Sequence, residues 1–236
     1  HWADASGGAL DPAMGPLVAL WGFGPDAVAH DDLPPDAATL AAARARCGRE
    51  RIAHDAAAHR LVQPGGLSLD LSGIAKGYGV DAGVAALQRL GLGDFLLEVG
   101  GELRGVGRRP GGQPWQVLVD PGAGPGVRIA LADRAVATSG DRWQVRERAG
   151  RRWSHTLDPR TGEPVGHALA SVTVLHPNGM DADALATVLT VLGLDEGLAF
   201  AERQGVAALF AQRRADGALA LHPSATWAAW AAGSAA

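Results

Sequence analysis

The sequence predicts an α+β fold in which strands and helices mix without strict alternation, and three observations carry that prediction. β-prone runs separated by Gly, Pro and Asp turns crowd the stretch between Phe95 and Glu147. Helical patterns lie on both sides of it, at Lys76 to Leu90 and from Asp181 onward. Between the first helix and the segment before it, Asp70-Leu-Ser-Gly-Ile-Ala-Lys-Gly-Tyr-Gly-Val-Asp81 joins a short apolar run to a helix start through a small-residue turn.

The elements follow in order. Asp11 to Trp21 reads as a short helix with Pro12 in its first turn, ended by Gly22-Phe-Gly24. Asp36 to Arg46 is Ala-rich and helical. Ile52 to Leu61 and Leu67 to Leu71 read as strands around Pro64-Gly-Gly66. In the helix Lys76 to Leu90, Val80, Val84, Leu87 and Leu90 share a face. Phe95–Val99, Glu102–Gly105, Trp115–Val119, Arg128–Leu131, Ala135–Thr138 and Arg142–Glu147 are strand-like, and Leu169 to Leu175 is a strand rich in β-branched residues. Asp181–Leu192 and Asp195–Gln204 read as two helices. Val206–Gln212 and Ala218–Leu221 form a hairpin about Asp216-Gly217, and the Trp227/Trp230 tail a closing helix.

Composition excludes some functions. A chain of 236 residues with 47% hydrophobic content can build a sizeable core. A net charge of −4 argues against nonspecific nucleic-acid binding, which needs a clustered basic surface. The arginines at Arg104–Arg109 and Arg142–Arg152 read as solvated hairpin faces. Cys47 is the single cysteine, so no intrachain disulfide and no cysteine zinc cluster is expected. There is no run of about 18 consecutive apolar residues, so no membrane-spanning segment is expected. The chain opens on His1 and Trp2 without a Met or a signal-peptide pattern, and an upstream segment is expected.

Four constellations could carry chemistry. The turn at Ser72-Gly73 puts backbone N–H groups, Lys76 and two acids at a helix N-terminus, which is how a protein holds a phosphorylated ligand. Its spacing fits neither a P-loop nor a Ser-x-x-Lys pair, and Gly91-Leu-Gly93 fails the dinucleotide fingerprint. A tight turn with Lys76 reaching solvent is the alternative. Asp183 and Thr187 stand four apart on one helix face, two hard oxygen donors that suit Mg²⁺ better than zinc. Alternatively, the acid serves the helix dipole and the threonine bonds the carbonyl four residues back. His155 precedes the turn Asp158-Pro-Arg-Thr-Gly162 and could act as a general base or as a hydrogen-bonding residue. Glu98-Val-Gly-Gly-Glu102 and Ala137-Thr-Ser-Gly-Asp141 place glycines at strand ends, where backbone approaches closely.

In register, these blocks resemble the ApbE family, the FAD:protein FMN transferases. The resemblance runs through Gly8-Ala-Leu-Asp-Pro12, Gly15-Pro-Leu-Val18, Leu20-Trp-Gly-Phe-Gly24, Asp70-Leu-Ser-Gly-Ile-Ala-Lys-Gly77, Gly100-Gly-Glu102, Ala137-Thr-Ser-Gly140, His155-Thr-Leu-Asp-Pro-Arg-Thr-Gly162 and Ala182-Asp-Ala-Leu-Ala-Thr187. It implies a single α+β domain over residues 1–236, with mixed sheets, flanking helices and a ligand cleft, lacking the strands that precede the Gly8 region in the family. It implies Mg²⁺-dependent transfer of FMN from FAD to a Ser or Thr hydroxyl of an acceptor protein, with release of AMP. The metal ligands it implies are Asp183, Thr187 and the main-chain oxygen of Gly73. FAD contacts would come from Ala9, Leu10, Asp11, Asp70, Lys76 and Thr156, with His155 as base and Lys76 as charge stabiliser. Some relatives carry a further acid where this chain has Ala186. Two other activities fit the same residues: an FAD pyrophosphatase yielding FMN and AMP, and a flavin-binding protein without turnover. The resemblance also implies a bacterial cell-envelope location on the periplasmic side of the inner membrane, with or without a lipid anchor, and a cytoplasmic location is the alternative.

Overall fold

Prolines and glycines near the chain start keep the first helices short. The computed structural model describes residues 1–25, 27, 34–122, 126–141, 145–148 and 151–234. It opens with α1 (Trp2–Ala5), α2 (Gly15–Leu20) and α3 (Ala37–Arg44). The second helix starts at Gly15 and uses Pro16, not Pro12, in its first turn. Residues 11–14 are instead held as a loop by the Asp11 carboxylate, which accepts the N–H groups of Ala13 at 2.8 Å and Arg49 at 3.2 Å. Asp36 caps α3 by accepting the Thr39 N–H.

β1 (Ala53–Asp55) and β2 (Arg60–Val62) form an exposed hairpin. The expected strand at Leu67–Leu71 does not form. Asp70 N–H donates to Pro12 O at 2.8 Å and Gly15 N–H to Ser68 O at 3.1 Å, but no ladder forms here among the described residues. Pro12 and Pro16 bracket the opposing segment and have no N–H to extend a ladder.

Then follow α4 (Ala75–Arg89), β3 (Phe95–Val99), β4 (Glu102–Val106), β5 (Trp115–Val119), β6 (Val127–Leu131) and β7 (Arg134–Gly140). Val80 and Val84 of α4 are buried, but Leu90 lies past its end and is 78% exposed. β8 (Val145–Arg148) covers part of the expected strand 142–147, whose residues 142–144 lie outside the described residues. β9 (Arg151–Ser154), β10 (Leu157–Asp158), β11 (Glu163–Pro164), β12 (Leu169–His176), α5 (Gly179–Gln204), β13 (Ala207–Arg213), β14 (Leu219–Pro223) and α6 (Ala225–Ser234) complete the chain.

These elements form two compact units: His1, Ala3–Leu71 and Gln144–Gly166 make the first, and Trp2, Ser72–Trp143 and His167–Ala236 the second. In the first, Leu17, Leu20, Trp21, Ala43, Trp153 and Leu157 form the core. Trp21 and Trp153 stack at 5.3 Å, and Trp21 Nε1–H donates to Gly162 O at 2.8 Å.

The second unit is built on a six-stranded sheet of order β14-β13-β12-β7-β4-β3, with every neighbouring pair antiparallel. Its central strand β12 is buried along almost its whole length. Alternation divides the sheet's side chains. On one face Val136, Leu175 and Leu209 pack with the β5–β6 hairpin and Trp227. On the other, Val106, Phe95 and Leu97 pack on Val80 and Val84 of α4, and α5 lies on β12 and β7.

α5 is apolar enough over its length to cross a membrane by composition, but 61% of its apolar window is buried within the protein, as expected of a core helix. Gly193, at φ 77° and ψ −172°, divides it, which separates the two helices read from the sequence. His167 Nε2–H donates to Thr190 O at 2.6 Å, satisfying a carbonyl near this break.

Candidate active site

The second unit brings the N-termini of α4 and α5 into contact, and the sequence allows it through two glycines. A Cβ at Gly77 would collide with the Gly179 carbonyl and stand 2.8 Å from Asp183 Cβ. Such backbone contact between helices is open only to residues without side chains.

The two helices cap each other. α4 has no side-chain cap of its own, yet Gly77 N–H in its first turn donates to Asp183 Oδ2 at 2.9 Å. In return, Asp81 of α4 accepts the Gly179 N–H at 2.8 Å and the Met180 N–H at 2.9 Å, at the start of α5. Asn178 completes that end by accepting the Asp181 N–H. Asp183 thus serves the dipole of α4, not of its own helix.

With Oδ2 held by Gly77, Asp183 turns Oδ1 toward Lys76 Nζ at 3.6 Å. One helical turn on, Thr187 faces Gly73: a Cβ at residue 73 would lie 3.1 Å from its Oγ1. Back-bonding to a carbonyl four residues earlier is found at Thr190, whose hydroxyl donates to Ala186 O at 2.8 Å. The structure therefore gathers Gly73, Asp183 and Thr187, the three expected metal-binding positions, in one place. Their donors are all hard oxygens: one carboxylate, one hydroxyl and one carbonyl. That set fits Mg²⁺, which takes few protein ligands and keeps positions for phosphate oxygens or water. Among the described residues no group of three or more His, Cys, Asp or Glu converges as a metal site.

Lys76 does not simply reach into solvent. Its ammonium is ion-paired with Glu102, which sits at the start of β4 with its side chain 3% exposed. Glu102 was visible in the sequence only as the acid after Gly100-Gly101, with no role. Sheet register supplies the role: Glu102, Arg104 and Val106 alternate onto the α4 face. There they meet Lys76, Asp81 and the Val80/Val84 pair in turn. Burial pushes the Glu102 carboxyl up to about 7, against the lowering pull of its bond to Lys76. Asp183 and Glu98, both acidic, push it the same way as burial.

The first unit holds the other expected residues. Asp70 bonds through its N–H to Pro12, so the Asp70 and Ala9–Asp11 segments lie together. Ala9 is 1% exposed and both carboxylate oxygens of Asp11 accept backbone N–H groups, so these two shape the loop. Leu10 is half-buried beside them. His155 follows the end of β9 and meets the ring of Phe23 edge-on at 6.3 Å. Thr156 is buried, its N–H donating to Ser154 Oγ at 3.1 Å. Asp158 closes the following turn by accepting from the Arg160 side chain and, through its carbonyl, from the Gly162 N–H.

An antiparallel sheet carrying two mutually capped helices defines an α+β protein with an oxygen-donor cluster and a lysine gathered at two helix starts. The chain belongs to the ApbE family, whose model matches residues 1–210. It is 38% identical to the FAD:protein FMN transferase of Haemophilus influenzae, over 89% of this chain and 62% of that protein. It is 41% identical to the enzyme of the same name from Vibrio cholerae, over 89% of this chain and 63% of that one. The chain thus spans a little under two thirds of the length of these relatives. The solved structure of Pseudomonas stutzeri flavinyl transferase ApbE, apo form, superposes with a TM-score of 0.88 at 39% identity, covering 97% of this chain and 71% of that one.

Proposed function

We propose that this chain transfers FMN from FAD to a Ser or Thr hydroxyl of an acceptor protein, releasing AMP. The observation that carries the reading is the convergence of Gly73, Asp183, Thr187 and Lys76 where α4 and α5 begin. The family match and the names of the relatives support the choice of FAD as the phosphate-bearing ligand.

The residues fit Mg²⁺, which Asp183, Thr187 and the Gly73 carbonyl would hold. Bound there, it would neutralise phosphate charge and polarise a phosphoryl oxygen. Lys76 adds a positive charge where negative charge builds during reaction. The acceptor hydroxyl oxygen attacks the FMN-side phosphorus, and His155 takes its proton. The phosphorus–oxygen bond to the AMP phosphate breaks, and AMP leaves with the electron pair.

The experiment incubates the chain with FAD, Mg²⁺ and a candidate acceptor, then weighs the acceptor by mass spectrometry. A mass gain of one FMN group with equimolar AMP is expected. AMP and free FMN with unmodified acceptor would replace transfer by hydrolysis. Bound FAD without AMP would reduce the chain to a flavin-binding protein.

A further inference from the structure

We propose that Glu102 is a positioning residue for this reaction: it holds the Lys76 ammonium beside Asp183, and so fixes where that charge meets the FAD diphosphate. The inference rests on the proposed function and adds to it a residue with no part in the expected site.

Lysine is a poor choice for a fixed charge unless something fixes it, because its four-carbon stem is flexible and its ammonium strongly hydrated. The Lys76 side chain is 41% exposed, so solvent competes for it. Three features restrain it. Glu102, almost wholly buried, pairs with the ammonium from the sheet side. Asp183 Oδ1 stands 3.6 Å away on the α5 side. Gly100, at φ +60°, lays its backbone along the stem, where a Cβ would come within 3.0 Å of Lys76 Cδ. Of the three, only Glu102 both contacts the ammonium and lies outside the metal-binding set.

Stability does not explain the pair. An ion pair with one partner buried and the other open to solvent adds little to stability, because desolvation of the buried charge offsets a screened attraction. Burial drives the Glu102 carboxyl up to about 7 despite Lys76, so the site bears a cost to keep a carboxylate here. Placement of the ammonium is the return.

The sequence offers a clean probe. Of 21 Lys and Arg residues, Lys76 is the single lysine. The full chain carrying [¹³Cε]-lysine therefore reports on this side chain alone. In the wild type the two Hε protons are expected to be inequivalent, as for a held side chain. They should merge in Glu102→Gln and separate again in Glu102→Asp. The kinetic arm follows AMP release from FAD, Mg²⁺ and the acceptor protein in wild type, Glu102→Gln, Lys76→Met and the double variant. Misplacing a charge costs turnover more than binding, so Glu102→Gln should lower kcat about tenfold or more while KM for FAD changes less than about threefold. In the Lys76→Met background the same change should alter kcat by less than about twofold, because Glu102 acts only through Lys76. An equal loss of kcat in both backgrounds would overturn the proposal, as would Hε protons that stay inequivalent in Glu102→Gln. If the wild type releases no AMP, the proposed function fails instead, and the spectra alone decide whether Glu102 holds Lys76.

Discussion

At the residue scale, the two buried acids do different work and respond differently to change. Asp183 caps α4 and is the carboxylate of the proposed metal site. Asp183→Ala removes both roles, and loss of the cap alone should cost about 1 kcal/mol. Asp183→Asn keeps an oxygen for the Gly77 N–H, so its melting temperature in chelator should fall less. Mg²⁺ is expected to raise the melting temperature of the wild type and of neither variant, and both variants should lose turnover; a variant that still responds to Mg²⁺ would refute the metal assignment. Glu102 carries a pH signature. Its carboxyl titrates near 7 in the folded chain and near 4.5 unfolded, so between these values the folded state binds the proton more tightly. Its contribution to stability is therefore largest below pH 4.5 and is lost as pH rises toward 7. The loss is on the order of 3 kcal/mol at most. Urea unfolding of metal-free wild type and Glu102→Gln across this range checks it: the wild type should lose ground to the variant as pH rises, and a constant difference contradicts the shift.

At the element scale, glycines decide what can approach what. Gly77→Ala forces a methyl against the Gly179 carbonyl and the Asp183 side chain, and backbone cannot rotate away. Overpacking of this kind costs about 1–3 kcal/mol. By contrast, Gly93 has open space around its missing Cβ, so Gly93→Ala should be nearly silent in the same denaturant titration. Gly193→Ala pays for a conformation that L-residues avoid and presses on His167, which lies 3.1 Å from the new Cβ. Much at this scale was legible in the sequence. The helix α4 with Val80 and Val84 on its buried face, the β-branched run of β12 and the Asp216-Gly217 hairpin stand where the pattern put them, while Leu90 falls beyond that face. The strand expected over Ile52–Leu61 is instead a hairpin, turned locally where Asp55 accepts the Ala58 N–H. The other failures depended on partners distant in sequence. Leu67–Leu71 has the alternation of a strand but faces prolines, and the start of α2 moved because Asp11 is engaged by Arg49. The pairing of Glu102 with Lys76 follows from β4 register and helix placement together, which no local pattern contains. Helical spacing put Asp183 and Thr187 on one face, and only the family resemblance singled them out as proposed metal ligands.

At the scale of the whole molecule, stability should be distributed unevenly. β12 lies between β7 and β13 under α5, with nearly every side chain buried. The β1–β2 hairpin is exposed at every position. Hydrogen exchange should be slowest in β12 and the first half of α5, and faster by orders of magnitude in β1–β2. Comparable protection in the two regions would contradict this reading of the core. The second unit contains all the proposed metal donors together with Lys76 and Glu102, drawn from segments separated by residues 144–166 of the first unit. Its donor cluster is therefore assembled only after β12 and α5 have joined the strands that precede them.

The shared carboxylate of Asp183 has one more consequence. One of its oxygens holds the amide proton of Gly77, and the other, 3.6 Å from Lys76 Nζ, is the one proposed to meet the metal. Whatever binds one oxygen redistributes charge on the other, and the influence must be mutual. The Gly77 amide is thus a built-in gauge: its chemical shift and exchange rate should track Mg²⁺ occupancy without any label on the metal or the flavin.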